Sequence, residues 1–476
     1  MSKVQSLILF SALLATLFDL LAACTIGAFG PGATIDGRPI LWKNRDVNNP
    51  DQEIGFFNRG RFRFVANVYA GETLNVWAGI NEKGFAIMNS NSFNLGGDGA
   101  ADDGNVMSLA LANCATIDDF AKLLDSLNVV GRETPANYGV FDSTGATAIF
   151  EASNTYYTRC NVADDSLGLL LRANYSMSGS PNRQVGRERW ERAMQLTVPA
   201  RRANRIDARF VIQTLARDLG TVNFNPYPLP FEGRYHDLDS GCVPTDSTIC
   251  RPKTRAAFVL VGPRPDRPAA AGMMWVLLGS PLATLPIPVW VSAGRVPNAL
   301  NGQFRSQICD EAQLLYRYLC SDPNHPDAIN TFRLADLLAE FARTESTIFS
   351  LVAQKESIWG PAGPTPAQAE STTTTICNLV LAAYTSFWEN LARTQRKDVP
   401  KLCIIPTISR NSVTLTWPTG TEVRWVRVYN SAGQLVHQRS PVSGNNLLVL
   451  SGLGAGTYFA VVAQPEPVTI PFLLTD

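Results

Sequence analysis

The sequence predicts an α+β protein of layered sheets with helices packed outside them, followed by a helical stretch and a separate β-rich tail. Three observations predict it. From Cys24 to about Trp290, short β-branched and aromatic runs recur (TIGAF, PILWKN, FRFVANVYA, LNVWAGI, FAIMNS, YGVFDS, TAIFEA, AAFVLVG, MMWVLLG), separated by Gly, Asn and Asp turn signals. Two helical patterns interrupt them, Thr116 to Leu127 behind a Thr cap and Asn182 to Leu196. Runs of strands with helices gathered between them bury their apolar faces as sheets covered by helices. After Lys401, SVTLTW, RWVRVYNSAGQLV, NNLLVLSGL and GTYFAVVAQ alternate at period two around Gly-containing turns.

Taken in order, the first 23 residues read as an export signal. Lys3 gives a positive start, an apolar run extends from Leu7 to Leu21, and Ala22 and Ala23 lead into Cys24. Asp19 inside that run has no explanation. The strand-rich stretch then occupies residues 24–300. Residues from about Ile308 to Arg343 and from Ala367 to Arg393 read as helices around the breaker WGPAGPTP, which makes 301–400 a helical extension expected to pack on the preceding domain. Residues 401–476 read as a small β-sandwich. No later run reaches the roughly 18–20 apolar residues of a membrane-spanning helix.

Composition narrows the chemistry. Lys+Arg and Asp+Glu both count 41, so the formal net charge is zero, which argues against a nucleic-acid binder. No Walker-type or GxGxxG loop follows a strand, and no CxxC or Cys/His cluster suggests a metal; the expectation is an enzyme without cofactor or metal. Of the 9 cysteines, eight remain besides Cys24, and export permits disulfides. Cys242 and Cys250, bracketing the turn-rich VPTDST, are the first expected pair. Cys309 and Cys320 would pair only if the helix carrying them breaks between them.

Cys24 is the candidate nucleophile. It opens a hairpin, TIGAF–DG–PILWKNRD, and a cut before it would leave a free α-amino group beside its own thiol. With a reference pKa of about 7.7–8.0, that amine can take the thiol proton without a histidine. The chain has only 3 histidines, His236, His325 and His437, and no GxSxG elbow, so triad chemistry is poorly supplied.

The ordered blocks CTIGAFGPGATIDGRPILWKNRD, GINEKGFAIMNSN, LLLRANYS and GRERWERA resemble the N-terminal-nucleophile linear amide hydrolases. These include choloylglycine hydrolases, penicillin V acylases and the acyl-coenzyme A:6-aminopenicillanate acyltransferase family. The resemblance covers about Cys24 to Arg295. It implies a four-layer αββα sandwich that cleaves or transfers the acyl group of a linear amide. Cys24 would be its nucleophile, Asp46 the carboxylate holding the amine, and Asn91 the asparagine set against the amine and reacting centre. Asn174 would be the oxyanion-hole side chain and Arg189 the arginine near the nucleophile, with Arg187 an alternative for it. Bile-salt hydrolases carry Arg-Asn before the carboxylate, whereas this chain has Lys43-Asn44-Arg45-Asp46, so the substrate-facing cation is either Lys43 or absent. Implied substrates are small N-acyl amides: N-acyl amino acids, N-acyl lactones, penicillin-type amides or bile-acid conjugates.

Leu21-Ala22-Ala23-Cys24 also reads as a lipobox, whose lipidation would block the thiol and leave a lipid-anchored binding protein. The alternative route to a free Cys24 is upstream cleavage, for example after Ala15, followed by self-cleavage. The tail, with a strand ending in Tyr-x-x-x-Gly and then L-x-x-L-x-x-G-x-Y-x-x-x-V, resembles the C-terminal sorting domain of type IX secretion substrates of Bacteroidota. It lacks their PNP opening and basic end. That resemblance implies secretion machinery as a partner and a periplasmic, cell-surface or secreted location; a generic accessory sandwich is the alternative.

Overall fold

The computed structural model describes residues 23–97, 103–302, 305–320, 325, 327–398, 405–409, 412–416, 425–439, 447–463 and 468–474. The expected leader, apart from Ala23, and Cys403 lie outside them. The chain forms two compact units, residues 1–384 and 385–476.

The first unit is built on two antiparallel sheets. The first six strands are β1 (Ala23–Phe29), β2 (Ile40–Asp46), β3 (Gln52–Asn58), β4 (Arg63–Tyr69), β5 (Ala78–Asn81) and β6 (Ala86–Asn91). Helices α1 (Asp103–Asn113) and α2 (Ile117–Val130) come next, then β7 (Ala136–Phe141), β8 (Thr147–Ala152), β9 (Tyr157–Asn161) and β10 (Leu169–Arg172). Helix α3 (Arg187–Arg202) precedes β11 (Cys242–Val243), β12 (Thr254–Val261), β13 (Met273–Leu278) and β14 (Ile287–Trp290). One sheet runs β10-β1-β2-β12-β13-β14; the other is the meander β3 to β9.

Period-two burial explains the layers. Phe64, Ala66 and Val68, with Tyr138, Val140, Ala148, Phe150 and Ala152, share one core with Met107 and Leu111 of α1 and Phe120 and Leu124 of α2. The opposite face of the meander meets the other sheet, where Gly139 leaves room for Met88 and Leu41. Helices therefore cover the sheets from outside, the αββα order expected. Helix α2 starts where the sequence places it: Thr116 Oγ1 accepts from Asp119 N and the Asp119 carboxylate accepts from Thr116 N, a closed capping box.

Three helices follow: α4 (Gln307–Leu319), α5 (Thr331–Trp359) and α6 (Pro366–Asp398), with the two-residue strand β15 (Ile329–Asn330) before α5. The helical stretch expected from about Ile308 to Arg343 is divided between α4 and α5. Cys320 caps α4, and Asn330 restarts the chain as α5 by accepting from Phe332 N and Arg333 N. The expected Cys242–Cys250 bridge is not formed. Cys250 is a free buried thiol with Sγ 3.9 Å from Ser280 Oγ, whereas Cys242 lies in β11 and packs with Leu238 and Ala328. Cys309 and Cys320 are free thiols too, because a break after α4 did not turn them toward each other.

In the second unit, a sheet of β16 (Ile405–Ser409), β17 (Ser412–Thr416) and β20 (Leu447–Ser451) and a sheet of β19 (Leu435–Arg439), β18 (Trp425–Asn430), β21 (Gly456–Ala463) and β22 (Val468–Leu474) share a core. Val413, Leu415, Val426, Val428, Leu450 and Ala460 form it. No described helix is long and apolar enough to cross a membrane.

Candidate functional site

The hairpin of β1 and β2 fixes the centre. Its register sets Ala23 opposite Asp46, Cys24 opposite Arg45, Thr25 opposite Asn44 and Ile26 opposite Lys43. Opposed residues share a face and neighbours alternate. Cys24, Arg45 and Lys43 therefore face the second sheet, where the Lys43 ammonium meets Trp77 O and the Asn89 side chain. Thr25 and Asp46 face the other way, toward α3 and β12. Cys24 is buried, 5% exposed, and the Asp46 backbone N–H points at its sulfur.

Asn174 lies just past β10 and is held by the second sheet. Arg172 Nε donates to Glu151 Oε1 of β8 at 2.6 Å, and the same carboxylate accepts from Met177 N and Ser178 N. Ser90 Oγ donates to Ala173 O, Asn137 Nδ2 to Tyr175 O, and Phe93 N to Asn174 O. Held this way, Asn174 Oδ1 accepts from Cys24 N at 3.0 Å and its Nδ2 donates to Asn91 O at 3.2 Å. Asn91 enters the cluster through that carbonyl.

Helix α3 supplies Arg189. It begins five residues later than the pattern predicts because Gly186, at φ +79°, turns the chain into it; a Cβ there would come within 3.0 Å of Ala173 and collide with the Arg189 guanidinium. From this first turn Arg189 Nη1 donates to Cys24 O and Thr25 Oγ1, both at 2.8 Å, and Nη2 donates to Asn174 Oδ1 at 2.7 Å. Its Nη1 also lies 3.9 Å from Asp46 Oδ2. Arg187, the alternative, is exposed and pairs with Glu191. Cys24, Asp46, Asn174 and Arg189 are thus brought into one buried cluster, which the half-buried Asn91 joins through its backbone carbonyl.

Sequence reasoning missed three of its partners. Thr254 Oγ1 donates to Asp46 Oδ1 at 2.6 Å, Arg251 Nη1 lies 3.7 Å from Asp46 Oδ2, and Thr25 receives Arg189. Thr254 and Arg251 are some two hundred positions from Asp46 and carry no local signal; only the β2–β12 pairing joins them. Asp46 Oδ2 has no hydrogen-bond partner among the described residues.

Burial pushes the Cys24 thiol up from its ordinary value, against the pull of Lys43 and Arg45. Burial likewise raises the Asp46 carboxyl, outweighing Arg251 and Arg189. A buried sulfur of this kind stays protonated unless a base is supplied beside it. His236 packs on Tyr235 and His325 meets Asp237, both away from these contacts. Among the described residues no group of His, Cys, Asp and Glu is arranged to hold a metal.

Residues 34–202 match the model of the acyl-coenzyme A:6-aminopenicillanic acid acyl-transferase family. Similar solved structures include a variant of conjugated bile acid hydrolase from Clostridium perfringens, 13% identical over 54% of this chain and 89% of that one, TM-score 0.34. Penicillin V acylase from Agrobacterium tumefaciens is 13% identical over 56% and 85%, TM-score 0.35. No curated protein matches in sequence.

Proposed function

We propose that this amide-bond enzyme, a hydrolase or acyltransferase by its family match, works through a Cys24 thioester with the residue's own freed α-amine as the base. The observation that carries the reading is the convergence on Cys24. Its nitrogen is held by Asn174, its carbonyl by Arg189, and its sulfur faces the Asp46 N–H. Once the Ala23–Cys24 bond is cut, that nitrogen becomes an amine already seated, and Asp46 Oδ2, which accepts no hydrogen bond from the described residues, is the acceptor available to its ammonium form.

The amine takes the thiol proton, and the thiolate attacks the amide carbon, forming C–S. Asn174 Nδ2 is the side-chain donor for the negative charge developing on the carbonyl oxygen; losing one such donor typically costs about 3–4 kcal/mol of barrier. The ammonium then gives its proton to the leaving amine as C–N breaks. Water, or an acceptor amine in transfer, attacks the thioester with the α-amine again as base; C–S breaks and the thiol is restored.

Lipidation of Cys24 is disfavoured by its place: the residue is buried inside β1 between two sheets, where a diacylglyceryl chain would have to displace the core. Export, with removal of residues 1–23 and a sorting role for the tail, belongs to this reading as a proposal. Two measurements test it. The mass of the mature N-terminal peptide should show Cys24 with free amine and thiol, and Cys24→Ala should abolish both turnover and covalent labelling by a thiol-directed substrate analogue. A lipid adduct, or labelling that survives Cys24→Ala, defeats the reading. kcat/KM should rise with pH along a single limb as the α-amine, whose free-solution range is about 7.7–8.0, loses its proton.

A further inference from the structure

Arg45 is directly opposite Cys24 in the hairpin and faces the same side, yet the proposed chemistry gives its guanidinium no hydrogen bond to make. It is 1% exposed. Among the described residues it is the arginine whose Nε, Nη1 and Nη2 are all buried without a hydrogen-bond partner. Its guanidinium instead sits between two rings, 4.4 Å from the Tyr69 centroid and 4.5 Å from that of Trp77, and the Trp77 indole N–H is also buried without a partner.

Aromatic faces attract a guanidinium, but they accept none of its five N–H donors. The other charges around it do not neutralise it. Lys43, two residues back on the same face, is a second cation, and it donates to the neutral Trp77 O and to the Asn89 side chain. Asp46, the nearest carboxylate in sequence, points to the opposite face and is engaged by Thr254, Arg189 and Arg251. Charged groups buried in proteins are ordinarily paired, and a planar fork of free donors matches a carboxylate bidentately. Tyr69 and Trp77 are only half-buried, so the cover over Arg45 is a pair of rings that reaches the surface.

We infer that Arg45, framed by Tyr69 and Trp77, is a specificity-determining subsite that binds a carboxylate carried by the substrate beside the Cys24 sulfur. The inference rests on the amide-bond reading of Cys24 and narrows it to anionic N-acyl amides. The carboxylate belongs to the amine half, as in an N-acyl amino acid, or to the acyl half, as in the monoamide of a dicarboxylic acid.

The test measures kcat/KM of the full mature chain on two matched pairs: N-decanoylglycine against its methyl ester, and glutaric acid monoanilide against its methyl ester. In at least one pair the acid should be preferred by about ten- to a hundredfold, the range of a charge-assisted bidentate contact. The preferred pair identifies the half that carries the charge. In Arg45→Leu the preference should fall to about unity, and in Arg45→Lys an intermediate preference should remain because the charge stays while the fork is lost. Arg45→Leu should melt no lower than the parent, since an uncompensated buried charge has been removed; should it fail to fold, Arg45→Gln takes its place. An acid preference unchanged by these substitutions, or absent from both pairs while the amides are cleaved, overturns the subsite. If no amide is cleaved, the amide-bond reading fails by itself. Calorimetry of the same four compounds on the Cys24→Ala chain then decides: tighter binding of an acid that Arg45→Leu erases upholds the subsite, and equal or no binding overturns it.

Discussion

Asn174 is the residue on which the proposed centre turns. A single side chain accepts from Cys24 N and from Arg189 through Oδ1 and donates to Asn91 O through Nδ2. Asn174→Ala removes both functions at once, leaving the Arg189 guanidinium short of an acceptor and the Cys24 nitrogen unseated. kcat should fall about 10²–10³-fold, while alkylation of Cys24 by a small neutral reagent such as iodoacetamide persists; unaltered turnover would remove Asn174 from the mechanism. At this scale the sequence was informative where residues sit in ordered blocks. Cys24, Asp46, Asn91, Asn174 and Arg189 all stand in such blocks, and the fold brings them within contact of one another. Arg45 was invisible as a buried group, because a charged residue in an alternating strand reads by default as a solvated one. Its burial becomes apparent only when the second sheet sets Tyr69 and Trp77 over it.

At the scale of elements, the tie between β8 and β10 governs whether Asn174 is presented at all. Glu151 and Arg172 form a buried ion pair across the two sheets, and Glu151 also accepts from the backbone of Met177 and Ser178 just beyond Asn174. Burial alone would raise the Glu151 carboxyl; Arg172 and the Ser178 and Met177 donors outweigh it and hold the group below the usual carboxylate range. A depressed folded-state pKa contributes stability that is complete above the unfolded value of about 4.3 and is lost as the pH falls through the folded value. The urea midpoint should therefore drop below about pH 4.3, and this drop should be smaller in Glu151→Gln, which no longer titrates. At pH 7, Glu151→Ala should cost about 3–5 kcal/mol by leaving Arg172 buried without its partner. A midpoint that does not move in Glu151→Ala would show that the pair contributes nothing. Other elements were readable in proportion to their local chemistry. The β1–β2 hairpin carried its DG turn, and α2 carried its capping box. Helix α1 is not legible in the sequence, since DGNVMSLALAN opens with Asp-Gly and scatters its apolar residues around the helix rather than along one stripe. Strand β3 was missed because Gly55 and polar ends interrupt its alternation.

At the scale of the molecule, the chain keeps its chemistry and its tail in separate cores. All the side chains of the site fall between Cys24 and Thr254, within the first unit, whereas the core of the tail draws only on residues from Val413 to Leu474. The tail was legible because period-two alternation with glycine turns is a short-range signal. The boundary of the second unit, at residue 385 inside α6, was not, since a continuous helix gives no break in composition. Interactions in clusters that share no residues act nearly independently. A chain ending at Asp398 should therefore label Cys24 with a thiol-directed substrate analogue at a rate within about twofold of the full chain. If the tail serves export as proposed, the same truncation should shift activity from the medium or cell surface to the cell interior without reducing activity per molecule. Purified truncated protein that labels tenfold more slowly would show that the tail supports the centre itself, and active truncated protein that still leaves the cell would dismiss the tail as an address.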